Sequence, residues 1–188
     1  LRQGGRSYYA LDVTNPEDAG YPGYLWEFPN ENDPDSLASP TSILPYLGQS
    51  WSQPIITRVK VKIDSDDNNG LGYERWVAIV TGGYDPTGDP NDHVNYDSGG
   101  IIGRAILMID MATGELLAMK HYSPSASDAQ ASMSYAIPST AGVLDLDFDG
   151  FADIVYVGDL GGQIFKWVIS PLGDDRVNDS SSSGDYSQ

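Results

Sequence analysis

Gly103-Arg104-Ala105-Ile106-Leu107-Met108-Ile109-Asp110 is the stretch on which the fold turns. A glycine and an arginine lead into a short apolar run, and an aspartate closes it. Short apolar runs bounded by turn-forming residues are strand chemistry. The same pattern stands near the start as Gly5-Arg6-Ser7-Tyr8-Tyr9-Ala10-Leu11-Asp12. It begins a third time, without the closing aspartate, at Gly161-Gly162-Gln163-Ile164-Phe165-Lys166-Trp167.

A second pair of matching segments is longer. Ser52-Gln53-Pro54, a strand, an acidic turn and Trp76–Gly83 parallel Tyr135-Ala136-Ile137-Pro138, a strand, an acidic turn and Asp153–Gly158. Further strands are expected at Tyr9–Val13, Ile55–Val61, Val77–Thr81, Ile106–Ile109 and Ile154–Val157. No window of about 11 residues sustains helical spacing, and Ala126–Ala136, weakened by its serines, comes nearest. Each unit reads strand, acidic turn, strand, loop, glycine-started strand, then a turn opened by Thr14 or Thr113. That is the order of a propeller blade, a small antiparallel sheet repeated around an axis. The expected fold is all-β, about three partial blades of a β-propeller with long inserted loops such as Tyr84–Gly100. An ordinary β-sandwich with similar hairpins is the competing reading. Residues 1–172 read as the partial propeller domain, and 173–188, rich in Ser and Asp, as a flexible polar tail or loop. Three partial blades cannot close a ring, so the chain, which opens without Met, is expected to be a piece of a longer polypeptide.

Composition narrows the function. The 188 residues carry 27 acidic and 10 basic side chains, a net charge of -17. Such a surface repels phosphate backbones and anionic lipid, which argues against a nucleic-acid partner. Cysteine is absent, which excludes disulfides, zinc–thiolate sites and thiol catalysis. Apolar runs such as Trp76–Val80 and Ala105–Ile109 are far too short to cross a bilayer, so no transmembrane segment is expected.

The chemistry concentrates in Asp145-Leu146-Asp147-Phe148-Asp149-Gly150-Phe151-Ala152-Asp153. Carboxylates fall at positions 1, 3, 5 and 9 of this loop, with glycine at 6. Calcium takes roughly 6–8 oxygens at about 2.3–2.6 Å, and donors at every second residue can wrap it. The expected ligands are Asp145, Asp147, Asp149, the Phe151 carbonyl and Asp153, and the bare loop is expected to be strained or mobile. The bland alternative is a solvated acidic hairpin turn. The loop is no helical EF-hand: position 12 is Tyr156 and both flanks are strands. Asp64, Asp66 and Asn68 keep positions 1, 3 and 5 in the earlier unit, but glycine falls at position 7 and Gly72 at position 9 loses the closure, so this reads as a plain polar turn, with a weak second site as the alternative. Asp85, Asp89, Asp92, His93 and Asp97 read as solvated. Neither His93 nor His121 lies in a catalytic motif, and no nucleophile elbow or phosphate-cradling loop is present, so no enzyme is expected. Trp26, Trp51, Trp76 and Trp167 are expected in core or inter-blade packing.

Four motifs in this order resemble the PilY/PilC family of type IV pilus tip-associated adhesins and biogenesis proteins. They are Gly4-Gly5-Arg6-Ser7-Tyr8-Tyr9-Ala10-Leu11-Asp12-Val13-Thr14, Trp51-Ser52-Gln53-Pro54, Val80-Thr81-Gly82-Gly83-Tyr84 and the Asp145–Asp153 loop. The resemblance implies a segment of that family's C-terminal, quinoprotein-like β-propeller. It implies Ca2+ on Asp145, Asp147, Asp149, Phe151 and Asp153, with pilins or minor pilins as partners. It further implies location from the periplasm to the outer surface or pilus tip of a Gram-negative bacterium, support of pilus assembly, and opposition to retraction. Twitching motility and adhesion would follow from these. A calcium-stabilised cell-surface propeller of integrin-like repeats remains an alternative. So does a quinoprotein dehydrogenase fragment, since Asp110-Met111-Ala112-Thr113-Gly114-Glu115 resembles that superfamily's blade turn.

Overall fold

The computed structural model describes residues 5–29, 46–62, 73–85 and 101–169, and the backbone of 176–178. Among them are ten strands: β1 (Tyr8–Asp12), β2 (Gly23–Phe28), β3 (Ile55–Lys62), β4 (Tyr73–Thr81), β5 (Ala105–Asp110), β6 (Leu116–His121), β7 (Gly142–Leu144), β8 (Ile154–Gly158), β9 (Ile164–Val168) and β10 (Arg176–Asn178). They form three sheets, β1-β2, β10-β3-β4-β5-β6 and β7-β8-β9. Within each sheet consecutive strands pair antiparallel, and β10 lies parallel on β3.

The repeat now has a structural meaning. β3 to β6 make a four-stranded meander, the unit of one blade. The glycine-started segments are β1, β5 and β9, and the two strand–acidic turn–strand segments are β3-β4 and β7-β8. The first sheet is therefore the second half of a blade, and the last is the first three strands of another.

Strand β5 is buried along its whole length because both faces of its sheet are covered. Ala105, Leu107 and Ile109, with Ala78 and Val80 of β4, pack against Tyr8, Trp26 and Phe28 of the first sheet. Ile106 and Met108, with Val77 and Ile79, pack the other way, against Val155, Val157, Phe165 and Trp167. Successive strand side chains point to opposite faces, so an uninterrupted apolar run is what a doubly covered strand requires. The aspartate closing the run caps the next turn: the buried Asp110 accepts from Ala112 N (2.7 Å) and Thr113 N (3.2 Å). Asp12 does the same for Thr14 N at 2.8 Å.

Several expectations change. The segment nearest to helical spacing yields only a 3-10 turn, Ala129–Ser132, capped by Asp128. Trp26 and Trp167 are core, but Trp51 and Trp76 are exposed, the latter on β4 with the Arg58 guanidinium 5.8 Å from its ring centroid. Asp85 is buried rather than solvated. Within 173–188, residues 176–178 form β10, whose backbone pairs with Lys60–Lys62, and the rest of that stretch lies outside the described residues.

Backbone is crowded from two sides at Gly82, just past the end of β4. Its N–H donates to Ala105 O (2.7 Å), its carbonyl accepts from Gly48 N (2.7 Å), and a Cβ there would lie 2.5 Å from the Gly103 carbonyl carbon. Main chain cannot yield as a side chain can. Gly82→Ala is expected to lower stability by about 3 kcal/mol, read as a drop in urea midpoint at unchanged slope.

Candidate metal centre

Strands β7 and β8 pair with Leu144 opposite Ile154, so Asp145–Asp153 is the connection of a hairpin. The loop is built from its own carboxylates. Asp145 accepts from Phe148 N (2.7 Å) through one oxygen and from Gly150 N (2.8 Å) through the other. Asp147 accepts from Asp149 N (3.2 Å), and Asp149 from Phe151 N (2.8 Å). The Asp147 and Asp149 bonds are successive Asx turns, the local bond that short acidic side chains offer the backbone, and Asp145 reaches further along the loop. The winding requires left-handed backbone at Phe148 (φ 64°) and Gly150 (φ 92°). Glycine adopts that conformation without cost, whereas Phe148, 90 % exposed, carries strain. Each of the loop's four aspartates is tied to a backbone N–H.

Asp145, Asp147 and Asp149 each bring one carboxylate oxygen within 4.8 Å of the others. Oxygens bound to one calcium at about 2.4 Å lie at most about 4.8 Å apart, so the three oxygens fit a common centre. Asp153 is not part of that group. It is only 2 % exposed, and its Oδ2 accepts from Leu146 N at 2.6 Å. Phe151 lies in the turn, its N–H on Asp149 and its ring buried.

The charges are crowded. Asp147 is held above the usual carboxylate range: the hydrogen bond from Asp149 N lowers it, but desolvation and the like charges of Asp149, Asp153 and Asp145 together outweigh that bond. A cation among these groups would relieve the repulsion.

Two residues absent from the sequence reading reach the loop from β3. Arg58 donates from Nε to Gly150 O (3.2 Å), and its backbone carbonyl accepts from Ala152 N (2.9 Å). Lys60 Nζ lies 3.9 Å from Asp149 Oδ2. Both cations sit over the Phe151 ring, at 4.8 and 4.4 Å from its centroid. The available signal was basic alternation, Arg58, Lys60 and Lys62, in a chain with 10 basic residues, but nothing in it named the partner.

Asp64, Asp66 and Asn68 lie outside the described residues, as do Asp89, Asp92, His93 and Asp97. His121 is engaged structurally, with Nδ1 2.9 Å from Tyr122 O and its ring 4.4 Å from that of Tyr46. The Asp110 turn that resembles a quinoprotein blade turn is likewise architectural, its carboxylate held by turn N–H groups and by Arg75 Nε at 3.3 Å.

Blade sheets stacked face to face, with an acidic hairpin loop at one seam, define a β-propeller segment bearing a candidate cation site. The PilY1 β-propeller domain matches residues 1–185, and the chain belongs to that family. It is 34% identical over 172 residues to a type IV pilus biogenesis factor PilY1 homolog of Xylella fastidiosa, covering 89% of this chain and 9% of that protein. It is 29% identical over 179 residues to type IV pilus biogenesis factor PilY1 of Pseudomonas aeruginosa, covering 95% of this chain and 11% of the relative. The crystal structure of the Pseudomonas aeruginosa PilY1 C-terminal domain superposes with a TM-score of 0.54 at 25% identity, over 89% of this chain and 26% of that one. The chain therefore spans about a tenth of the length of these curated relatives. The propeller expectation holds, and the sandwich reading falls.

The buried Asp153 carboxylate gives the loop a metal-independent test. Asp153→Ala, with calcium chelated, is expected to cost about 1–3 kcal/mol and to speed amide exchange at Leu146, whose N–H loses its acceptor.

Proposed function

We propose that this chain is a calcium-binding propeller segment of a type IV pilus biogenesis factor. The observation that carries the reading is the convergence of Asp145, Asp147 and Asp149 within 4.8 Å in a loop whose turns are already formed. The carboxylates of Asp145, Asp147 and Asp149 would hold the ion, with the Phe151 carbonyl and the Asp153 carboxylate closing the set. Calcium supplies two positive charges and an oxygen-seeking centre, no redox or acid–base chemistry. Asp145, through both oxygens, and Asp149, through one, accept turn hydrogen bonds and would share their remaining lone pairs with the ion. Gly150 lets the chain double back so that Phe151 and Asp153 follow on the same loop.

Membership of the PilY1 family supports a role in pilus biogenesis. The finer reading is that the ion-loaded segment supports assembly and opposes retraction, through contact with pilins or minor pilins between the periplasm and the pilus tip. Twitching motility and adhesion depend on that balance. Extracellular modules bind calcium at about 10⁻⁴–10⁻³ M, a range the external medium can saturate. Stabilisation then follows mass action and reaches about 2.7 kcal/mol only when calcium exceeds the dissociation constant about a hundredfold.

One observation favours a purely structural role for the ion: the loop docks on β3 of the neighbouring sheet through Ala152 N and Gly150 O. A single pair of measurements separates the two. Asp145→Asn in the full natural chain is expected to weaken calcium binding at least about tenfold by calorimetry and to reduce twitching. Lost binding with normal piliation and twitching would leave the ion a scaffold, and unchanged binding would remove the ligand assignment.

A further inference from the structure

Arg58 and Lys60 both lean from β3 onto the acidic loop, but they hold different parts of it. Arg58 holds backbone: its Nε donates to Gly150 O, its carbonyl accepts from Ala152 N, and its guanidinium covers the Phe151 ring. Its planar fork fixes that stretch and leaves the converging carboxylates alone. Lys60 holds a carboxylate, and that carboxylate, Asp149, is one of the three that converge. An ammonium on a four-carbon stem is a movable point charge that can leave Asp149 when a stronger cation arrives.

We propose that β3 sets the cation affinity of the loop through these two residues with opposite signs. Arg58 is a positioning residue that braces Gly150, Phe151 and Ala152, and so aids binding. Lys60 competes within the molecule for Asp149, and so opposes it. The proposal rests on the calcium reading above. It also makes the two sheets report on each other, because the competitor and the brace sit on one sheet and the carboxylates on the next.

The test is calcium calorimetry on the full natural chain. Lys60→Met is expected to bind calcium about three- to tenfold more tightly, since a positive charge beside the site is removed. Lys60→Arg keeps a positive charge opposite Asp149 and is expected to show none of that gain. In an Asp149→Asn background the gain from Lys60→Met should vanish, because the contested carboxylate is gone. Arg58→Met is expected to weaken binding about threefold or more despite losing the same charge. A general electrostatic effect would tighten both variants, so Lys60→Met and Arg58→Met moving in the same direction overturns the proposal. Because Arg58→Met could act by unfolding, amide exchange without metal is the second readout. Expected is faster exchange across 145–153 with β4 and β5 still protected; unchanged exchange removes the brace. Wild-type binding with both methionine variants within about twofold of it sinks this inference alone. Absence of any calcium binding sensitive to Asp145→Asn sinks the calcium reading and this one with it.

Discussion

An antiparallel sheet whose middle strands are apolar on both sides needs a cover on each side, and that need organises the chain. Strands β4 and β5 send Val77, Ile79, Ile106 and Met108 one way and Ala78, Val80, Leu107 and Ile109 the other. Tyr8, Trp26 and Phe28 of β1-β2 supply one cover, and Val155, Val157, Phe165 and Trp167 of β8-β9 the other. Burying a large apolar side chain gains about 1.5–3 kcal/mol, so neither cover is dispensable. Trp26 also donates from Nε1 to Met111 O at 2.9 Å, tying its indole to the turn after β5. Both covers come from copies of one repeated unit, so stacking propagates by repeating one kind of interface.

What was legible follows from this geometry. Strands whose residues are β-branched and bounded by turn residues, such as Ile55–Lys62 and Ile154–Gly158, stand out in the sequence. Strand β6 does not. Leu116-Leu117-Ala118-Met119-Lys120-His121 has no β-branched residue, and its composition suits a helix better than a strand. Pairing with β5 overrides that preference. Strand β2 starts on Gly23 and is flanked by Pro22 and Pro29, so punctuation hides the run between. Trp76 shows the limit of composition: an aromatic on a core strand is exposed here, its ring beside the Arg58 guanidinium rather than in the core.

The site divides along the same line. Asp145, Asp147 and Asp149 are close in sequence, and alternation with a glycine at the turn is enough to foresee their convergence. The environment of Asp153 was not foreseeable, because its burial depends on β8 packing into the core. Asp85 is buried too, which its acidic neighbours in sequence did not foretell. Arg58 and Lys60 belong to the preceding repeat unit, and only stacking of the sheets brings them to the loop. Local spacing encodes the converging carboxylates; tertiary packing encodes the residues around them.

The loop is prepared before any ion arrives. Turn N–H groups already fix the four aspartates, which is pre-organisation: part of the ordering cost is met during folding rather than on binding. What folding leaves unresolved is repulsion, visible in the raised Asp147. On the proposed calcium reading, an ion therefore has little loop left to build and acts chiefly on charge. Two of the charges it must reckon with, Arg58 and Lys60, belong to the neighbouring sheet. The mechanical consequence of binding then falls on the seam between blades, where Arg58 O meets Ala152 N, more than on the turn itself.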